Sequence, residues 1–203
     1  MNPERLKERV PAFAAKTWRD NKALRVLALG RLATYKGFGK LVRAAARTKA
    51  RIVIAGDGED RARLEALVSD LKLRDRVHLL GGISDAERNS LLASCDLVCL
   101  PSTNRAEAFG VSVLEGMALG RPALVSRLNG SGLPWLVVDN ETGWHVPPGD
   151  VESLIRQINH LDQNRAMIEN AGIKARHRFE QNFHISTVAA QITALHEKLV
   201  PST

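Results

Sequence analysis

The chain has 203 residues, 44% apolar and 25% charged, the balance of a soluble globular protein with room for one large domain or two small ones. No apolar run approaches the length of about eighteen residues that a membrane span needs, and MNPERLKERV at the N-terminus carries charges where a signal peptide needs an apolar centre, so a cytoplasmic protein is expected. The net charge of +7 is unevenly placed: residues 1–50 hold thirteen Lys and Arg against three acids, the remainder sixteen against nineteen, while aromatics reach only 4% and are not interleaved with the cations, which disfavours nucleic acid and leaves phosphates, an anionic membrane surface or solvent to face the basic part.

Residues 1–22 are polar, basic and broken by Pro3 and Pro11, and read as a helix or linker outside any sheet. LRVLALG (24–30) predicts a buried strand ending in glycine, and 36–50 a helix with Leu41, Val42, Ala45 and Ala46 inward. RIVIAGDG (51–58) predicts a strand and a glycine turn, 59–73 a helix with Leu64, Leu67, Val68 and Leu71 on one face, and RVHLLGG (76–82) a third strand. Residues 84–95 predict a helix opened by Ser84 with Glu87 three positions on, a capping box. DLVCLPS (96–102) is a fourth strand, and Cys95 and Cys99 in this apolar setting read as buried free thiols rather than a metal pair, in keeping with a reducing compartment. A short helix over 110–120 and a strand over 121–126 follow; 142–150 is a turn-rich hairpin or a short strand, and Asp150 is placed to cap the helix over 151–161. Helices near 164–179 and 184–199 complete the chain.

Strand and helix alternate in order, and the strands are nearly continuous Val, Ile and Leu, as strands buried on both faces must be. The fold class expected is therefore α/β, a Rossmann-like doubly wound parallel sheet, with C-terminal helices added. Residues 23–180 are expected to form that domain and 181–203 a closing helix. In such sheets a ligand binds beyond the carboxyl ends of the strands, near helix N-termini. The glycine-rich loops all fall there, at 30–37, 81–85, 102–111 and 127–133.

Those loops carry specific chemistry. Gly30 and Arg31 follow the first strand and Lys36 precedes the next helix; two cations beside free helix amides suit a diphosphate, although each cation also reads as a plain surface residue. The G-x-G-x-x-G and P-loop patterns of dehydrogenases and ATPases are not matched. In NRAEAFGVSVLEGMALGRP (104–122), Glu107 and Glu115 stand eight residues apart around Gly110. Gly110 at a helix mouth removes a Cβ and lets a ligand reach the amides near 110–112. Were the whole interval helical, the carboxylates would stand about 12 Å apart, the reach from sugar to ribose in a nucleotide sugar. Taken singly, Glu115 also reads as a helix-dipole partner and Glu107 as an exposed loop acid.

The ordered set GRL…KG, VIAGDGE, RVHLLG, DLVCLPS, EAFGVSVLEGMALGRP and TGWHVPPGD resembles the retaining glycosyltransferases of family 4, over about residues 24–160. It is similar to their C-terminal, nucleotide-sugar-binding domain, one half of the GT-B fold, and 104–122 resembles their E-x7-E motif. The resemblance implies that Arg31 and Lys36 stabilise the departing nucleoside diphosphate in place of a divalent metal, so that no cofactor is needed. It implies that Glu107 contacts donor-sugar hydroxyls and Glu115 the ribose, that Phe109, Gly110 and Val111 present backbone to sugar and phosphate beside Gly30, and that Ile83 faces the base. It assigns no enzyme nucleophile. Two departures stand out: Trp135 occupies a position where the family often carries a glutamate, and a whole member has a further N-terminal domain that binds the acceptor.

The resemblance therefore implies the donor-binding half of an enzyme, a fragment or one part of a split protein. Its partners would be a nucleotide sugar and, through the other domain, an acceptor glycan or glycolipid of a surface polysaccharide. The basic N-terminal part would then lie near anionic lipid on the inner face of the membrane. An alternative is a stand-alone nucleotide-sugar-binding module without catalytic activity that serves a partner. A sugar-nucleotide epimerase is a third reading, disfavoured by the Glu107 and Glu115 pair.

Overall fold

The computed structural model describes residues 12–18 and 22–199. Strands β1 (Arg25–Leu29), β2 (Arg51–Ala55), β3 (Val77–Gly81), β4 (Leu97–Leu100), β5 (Ala123–Ser126) and β6 (Gly143–Val146) form one sheet in the order β3-β2-β1-β4-β5-β6. Every neighbouring pair is parallel, so the sheet has the α/β Rossmann-like topology. The alternation of apolar runs and amphipathic segments foretold this order of elements. β4 and β5 are buried at every position and β1 and β2 at all but the first, because helices cover both sides. Each buried Val, Leu or Ile side chain there contributes about 1.5–3 kcal/mol of transfer free energy.

The helices are α1 (Ala12–Trp18), α2 (Phe38–Ala45), α3 (Arg61–Asp70), α4 (Asp85–Ser94), α5 (Val111–Ala118), α6 (Leu133–Leu136), α7 (Val151–Gln163), α8 (Arg165–Asn182) and α9 (Ile185–Leu199). They form two layers: α2 packs with α3 and α7, while α4 packs with α1 and α5, and α8 closes over α5. Right-handed crossovers put these groups on opposite faces of the sheet. Local signals hold where the sequence placed them. Ser84 and Glu87 form the capping box at α4, with Glu87 N–H donating to Ser84 Oγ at 3.3 Å and Ser84 N–H to Glu87 Oε2 at 2.8 Å. Asp150 caps α7, accepting from Ser153 N–H at 3.0 Å. Cys95 and Cys99 are free and buried, and burial pushes the Cys95 thiol up to about 12 and raises Cys99 as well.

Three features differ from the sequence reading, and one open alternative is decided. Residues 142–150 hold the short strand and not the hairpin: it is the sixth strand, parallel to β5 in register Ala123↔Gly143 to Ser126↔Val146. Gly143 is required there: a Cβ would stand 2.1 Å from Ala123 O. The helix expected over 36–50 is shorter, because a 3-10 turn at Thr34–Lys36 and a left-handed Gly37 (φ 71) precede α2. α6 is an additional short helix with Pro134 in its first turn. The closing helices meet later than expected, α8 running to Asn182 before α9 begins at Ile185. Of the segment expected as a linker over 1–22, only residues 12–18 and 22 are described, the rest lying outside the described residues; Trp18 of α1 is buried and donates its ring N–H to Ser94 Oγ of α4 at 2.9 Å. The last four residues of the chain also lie outside them.

Candidate functional site

The strand order reverses between β1 and β4, so the loops that leave these two adjacent strands diverge and open a crevice at their carboxyl ends. Backbone contact ties the two loops together at its base. Thr103 N–H and Oγ1 both donate to Tyr35 O, at 2.7 and 3.2 Å. A Cβ at Gly37 would stand 2.0 Å from Pro101 O, so only glycine permits the approach.

Lys36 and Glu107 meet in this crevice, at 2.6 Å between Nζ and Oε2. The lysine lies across Gly30, whose φ of 142 favours glycine and whose missing Cβ would touch Lys36 Cε and Nζ at 3.5 Å. Glu107 is only 5% exposed. Ser102 Oγ donates to the same carboxylate oxygen at 3.1 Å. Its backbone is held too: Asn104 shapes a turn by accepting from Ala106 and Glu107 N–H, and Ser131 Oγ donates to Glu107 O at 2.6 Å. One residue on, Gly132 N–H donates to Ala108 O at 2.7 Å, so the segment leading into α6 straps the 104–110 loop on its outer side.

Gly110 opens α5 with φ 94. The sequence reading gave it to ligand access; the structure gives a different reason. A Cβ there would stand 2.5 Å from Leu133 Cδ2, so the space beside Gly110 is filled by the core under α6. The ligand-facing consequence survives in the backbone. Val113 and Leu114 N–H return to Gly110 O, leaving the amides of Val111 and Ser112 at the helix mouth, where the dipole favours an anion. Because α5 begins at Val111, the interval from Glu107 to Glu115 is half loop, and the separation reckoned for a continuous helix does not hold.

Glu115 closes the other end. It is 8% exposed and faces Arg88 of α4, with 3.6 Å between Oε1 and Nη2; Arg88 also reaches Asp85 at 3.4 Å. Burial raises the Glu115 carboxyl above its ordinary range, opposed by Arg88 and reinforced by Asp85. Together these groups line a cavity of about 450 Å³ whose wall includes Gly30, Lys36, Glu107, Phe109, Gly110, Val111 and Glu115, with Arg88 and Ser112 beside them. Seven of the nine positions singled out in the sequence therefore share one cavity. Arg31 is exposed at the end of β1 and Ile83 half-buried after β3; neither forms part of the wall. Arg88, Ser102 and Ser131 were not foreseen. A cation one turn into a helix that starts at a strand's carboxyl end was a usable signal for Arg88; nothing local marks the two serines.

The family model for glycosyl transferases group 1 matches residues 11–182. The D-rhamnosyltransferase WbpZ of Pseudomonas aeruginosa is 34% identical over 167 residues, covering 82% of this chain and 43% of that protein. The O-antigen chain mannosyltransferase C of Escherichia coli is 35% identical over 159 residues, covering 77% and 42%. Among solved structures, Anabaena Alr3699/HepE in complex with UDP and glucose superposes with a TM-score of 0.81 at 25% identity, over 95% of this chain and 54% of that one. The chain thus spans about half the length of the relatives it matches.

Proposed function

Because the chain belongs to the glycosyl transferases group 1 family, we propose that it is the donor-binding half of a retaining, family 4 glycosyltransferase of the GT-B fold. The observation that carries the proposal is the shared cavity: Lys36, the α5 amides and two carboxylates converge where the sheet order reverses. A nucleoside diphosphate sugar spans it with its diphosphate over Val111 and Ser112 N–H, its ribose hydroxyls on Glu115 and its sugar hydroxyls on Glu107. The UDP and glucose held by the Anabaena relative support this reading.

Transfer breaks the bond between the anomeric carbon and the diphosphate, and the electron pair leaves with the phosphate. Lys36, the helix amides and Arg31, next in sequence to Gly30, offset that charge, and the reaction runs without a divalent metal. The acceptor hydroxyl attacks from the face that the phosphate leaves and gives its proton to a phosphate oxygen, so configuration is retained. Lys36 waits for the ligand already aligned by Glu107 and Ser102, so little reorganisation is needed. The acceptor, a polysaccharide, lipopolysaccharide or glycolipid, binds a second domain outside this sequence, at or near the inner membrane surface. Among the described residues no helix is long and apolar enough to cross a membrane.

Calorimetry with uridine, guanosine and adenosine diphosphates tests the placement. One of them binds in the micromolar to millimolar range, Lys36→Ala and Glu115→Ala each weaken it, and chelator changes nothing. Unchanged affinity in both variants refutes the placement, and a strict magnesium requirement refutes the metal-free chemistry. A second reading is binding without transfer, which sugar release by this chain alone would exclude.

A further inference from the structure

Trp135 is 56% exposed, whereas Trp18 and Trp144 are each 3% exposed. Its position is nonetheless fixed. Leu133 and Leu136, on either side of it in α6, are fully buried, and Arg178 of α8 donates to Trp135 O at 2.5 Å and to Leu136 O at 3.1 Å. Phe183 meets the indole edge-on at 4.9 Å and 86°, and is itself covered by the Arg178 guanidinium at 5.9 Å. Phe109, which lines the cavity, lies 6.3 Å from the indole, and α6 starts hard against it, since a Cβ at Gly132 would stand 3.0 Å from Phe109 Cδ2. One aromatic surface therefore runs from the cavity wall at Phe109 to an indole clamped from behind and open in front.

Clamping a large ring while leaving over half of it in water forgoes most of the burial that normally repays its ordering. The arrangement fits a pre-organised contact surface. The ligand class follows from the neighbourhood. Glu107, two residues before Phe109, offers a carboxylate to hydroxyls, and a pyranose also has a face of C–H groups that an aromatic ring covers without competing for those hydroxyls. We propose that Trp135 is a stacking platform for a pyranose ring held beside the cavity. The proposal rests on the nucleotide-sugar reading above and adds to it a subsite at the rim.

Because the other two tryptophans are buried, acrylamide quenching of the chain's fluorescence reports chiefly on Trp135. The nucleotide pairs are UDP with UDP-glucose, GDP with GDP-mannose and ADP with ADP-glucose, the pair used being the one whose diphosphate binds. The sugar nucleotide should shield Trp135 from quenching while the bare diphosphate does not. Trp135→Ala should weaken the sugar nucleotide by about fivefold, the size of an aromatic contact, and leave the diphosphate within twofold. Trp135→Phe, which keeps a ring, should retain most of the difference and guards against a folding defect. Shielding only when methyl α-glucoside or methyl α-mannoside is added to the diphosphate-saturated chain would assign the platform to the acceptor's ring instead of the donor's. A diphosphate that binds while no sugar shields Trp135, or an equal loss for diphosphate and sugar nucleotide in Trp135→Ala, overturns the platform and leaves the nucleotide site standing. Failure of the uridine, guanosine and adenosine diphosphates all to bind removes the nucleotide reading and the platform with it.

Discussion

The two ends of the cavity hold their carboxylates in opposite ways. Glu107 sits on a loop, yet it is tied by a lysine at 2.6 Å, a serine at 3.1 Å and backbone bonds on both sides. Glu115 sits on a regular helix, yet Arg88, the cation facing it, is 3.6 Å away and burial works against its charge. Irregular backbone is therefore the rigid end and helix the electrostatically loose one. Order at a site comes from satisfied polar groups, not from secondary structure as such. Glu107 and Lys36 are paired before any ligand arrives, whereas Glu115 gains most from new hydrogen bonds to its charged form.

The largest expected effect falls on the tied end. Glu107→Ala strands Lys36 among buried groups and should lower stability by about 3 kcal/mol in urea unfolding, as for a broken buried pair. Lys36→Met combined with Glu107→Leu should recover much of that loss; a double variant whose loss equals the sum of the losses of Lys36→Met and Glu107→Leu alone would show that the pair is not coupled.

At the loose end, Arg88→Leu removes the cation that opposes the desolvation of Glu115. In the proposed site the ribose hydroxyls bind the ionised carboxylate, so diphosphate affinity should fall as pH is lowered, and in this variant the fall should begin at higher pH. A loss of about tenfold at pH 6 that shrinks by pH 8, with Arg88→Lys close to wild type, is the expected calorimetric result. A uniform loss across pH would reduce Arg88 to a packing role.

Ser131→Ala removes one strap from the Glu107 loop and should cost about 1 kcal/mol. The smallest effect has the opposite sign. The folded-state pKa of Glu115 is raised, so the stability it contributes is fully present below its unfolded value and is lost as pH rises through the folded one. Glu115→Gln escapes that loss and should be more stable than wild type by about 0.5 kcal/mol at pH 7, with no gain near pH 4, while binding diphosphate more weakly. A destabilised Glu115→Gln at neutral pH would show that the two ends are not opposites after all.

How much of this was legible beforehand follows from the range of each signal. The strands, α4 with its cap and the Asp150 cap were readable because burial on two faces demands unbroken apolar runs and a free helix end demands a local acceptor. Hydrophobic periodicity says little about elements of four residues, so β6 was left between hairpin and strand and α6 went unassigned. Gly110 was placed correctly at a helix mouth, but its reason lay in Leu133, twenty-three residues on.

The sequence by itself determined the α/β alternation, the loops at the strands' carboxyl ends and the presence there of cations, glycines and two glutamates. Only the tertiary structure decided which of those loops face one another. Placing β1 beside β4 brings Lys36 onto Glu107, seventy-one positions further along the chain, sets Arg88 against Glu115 and carries Trp135 up to Phe109. The physical reason is one of range: backbone propensity and burial act over a few residues, whereas a side-chain contact between loops depends on strand order, which is set by the packing of the whole sheet.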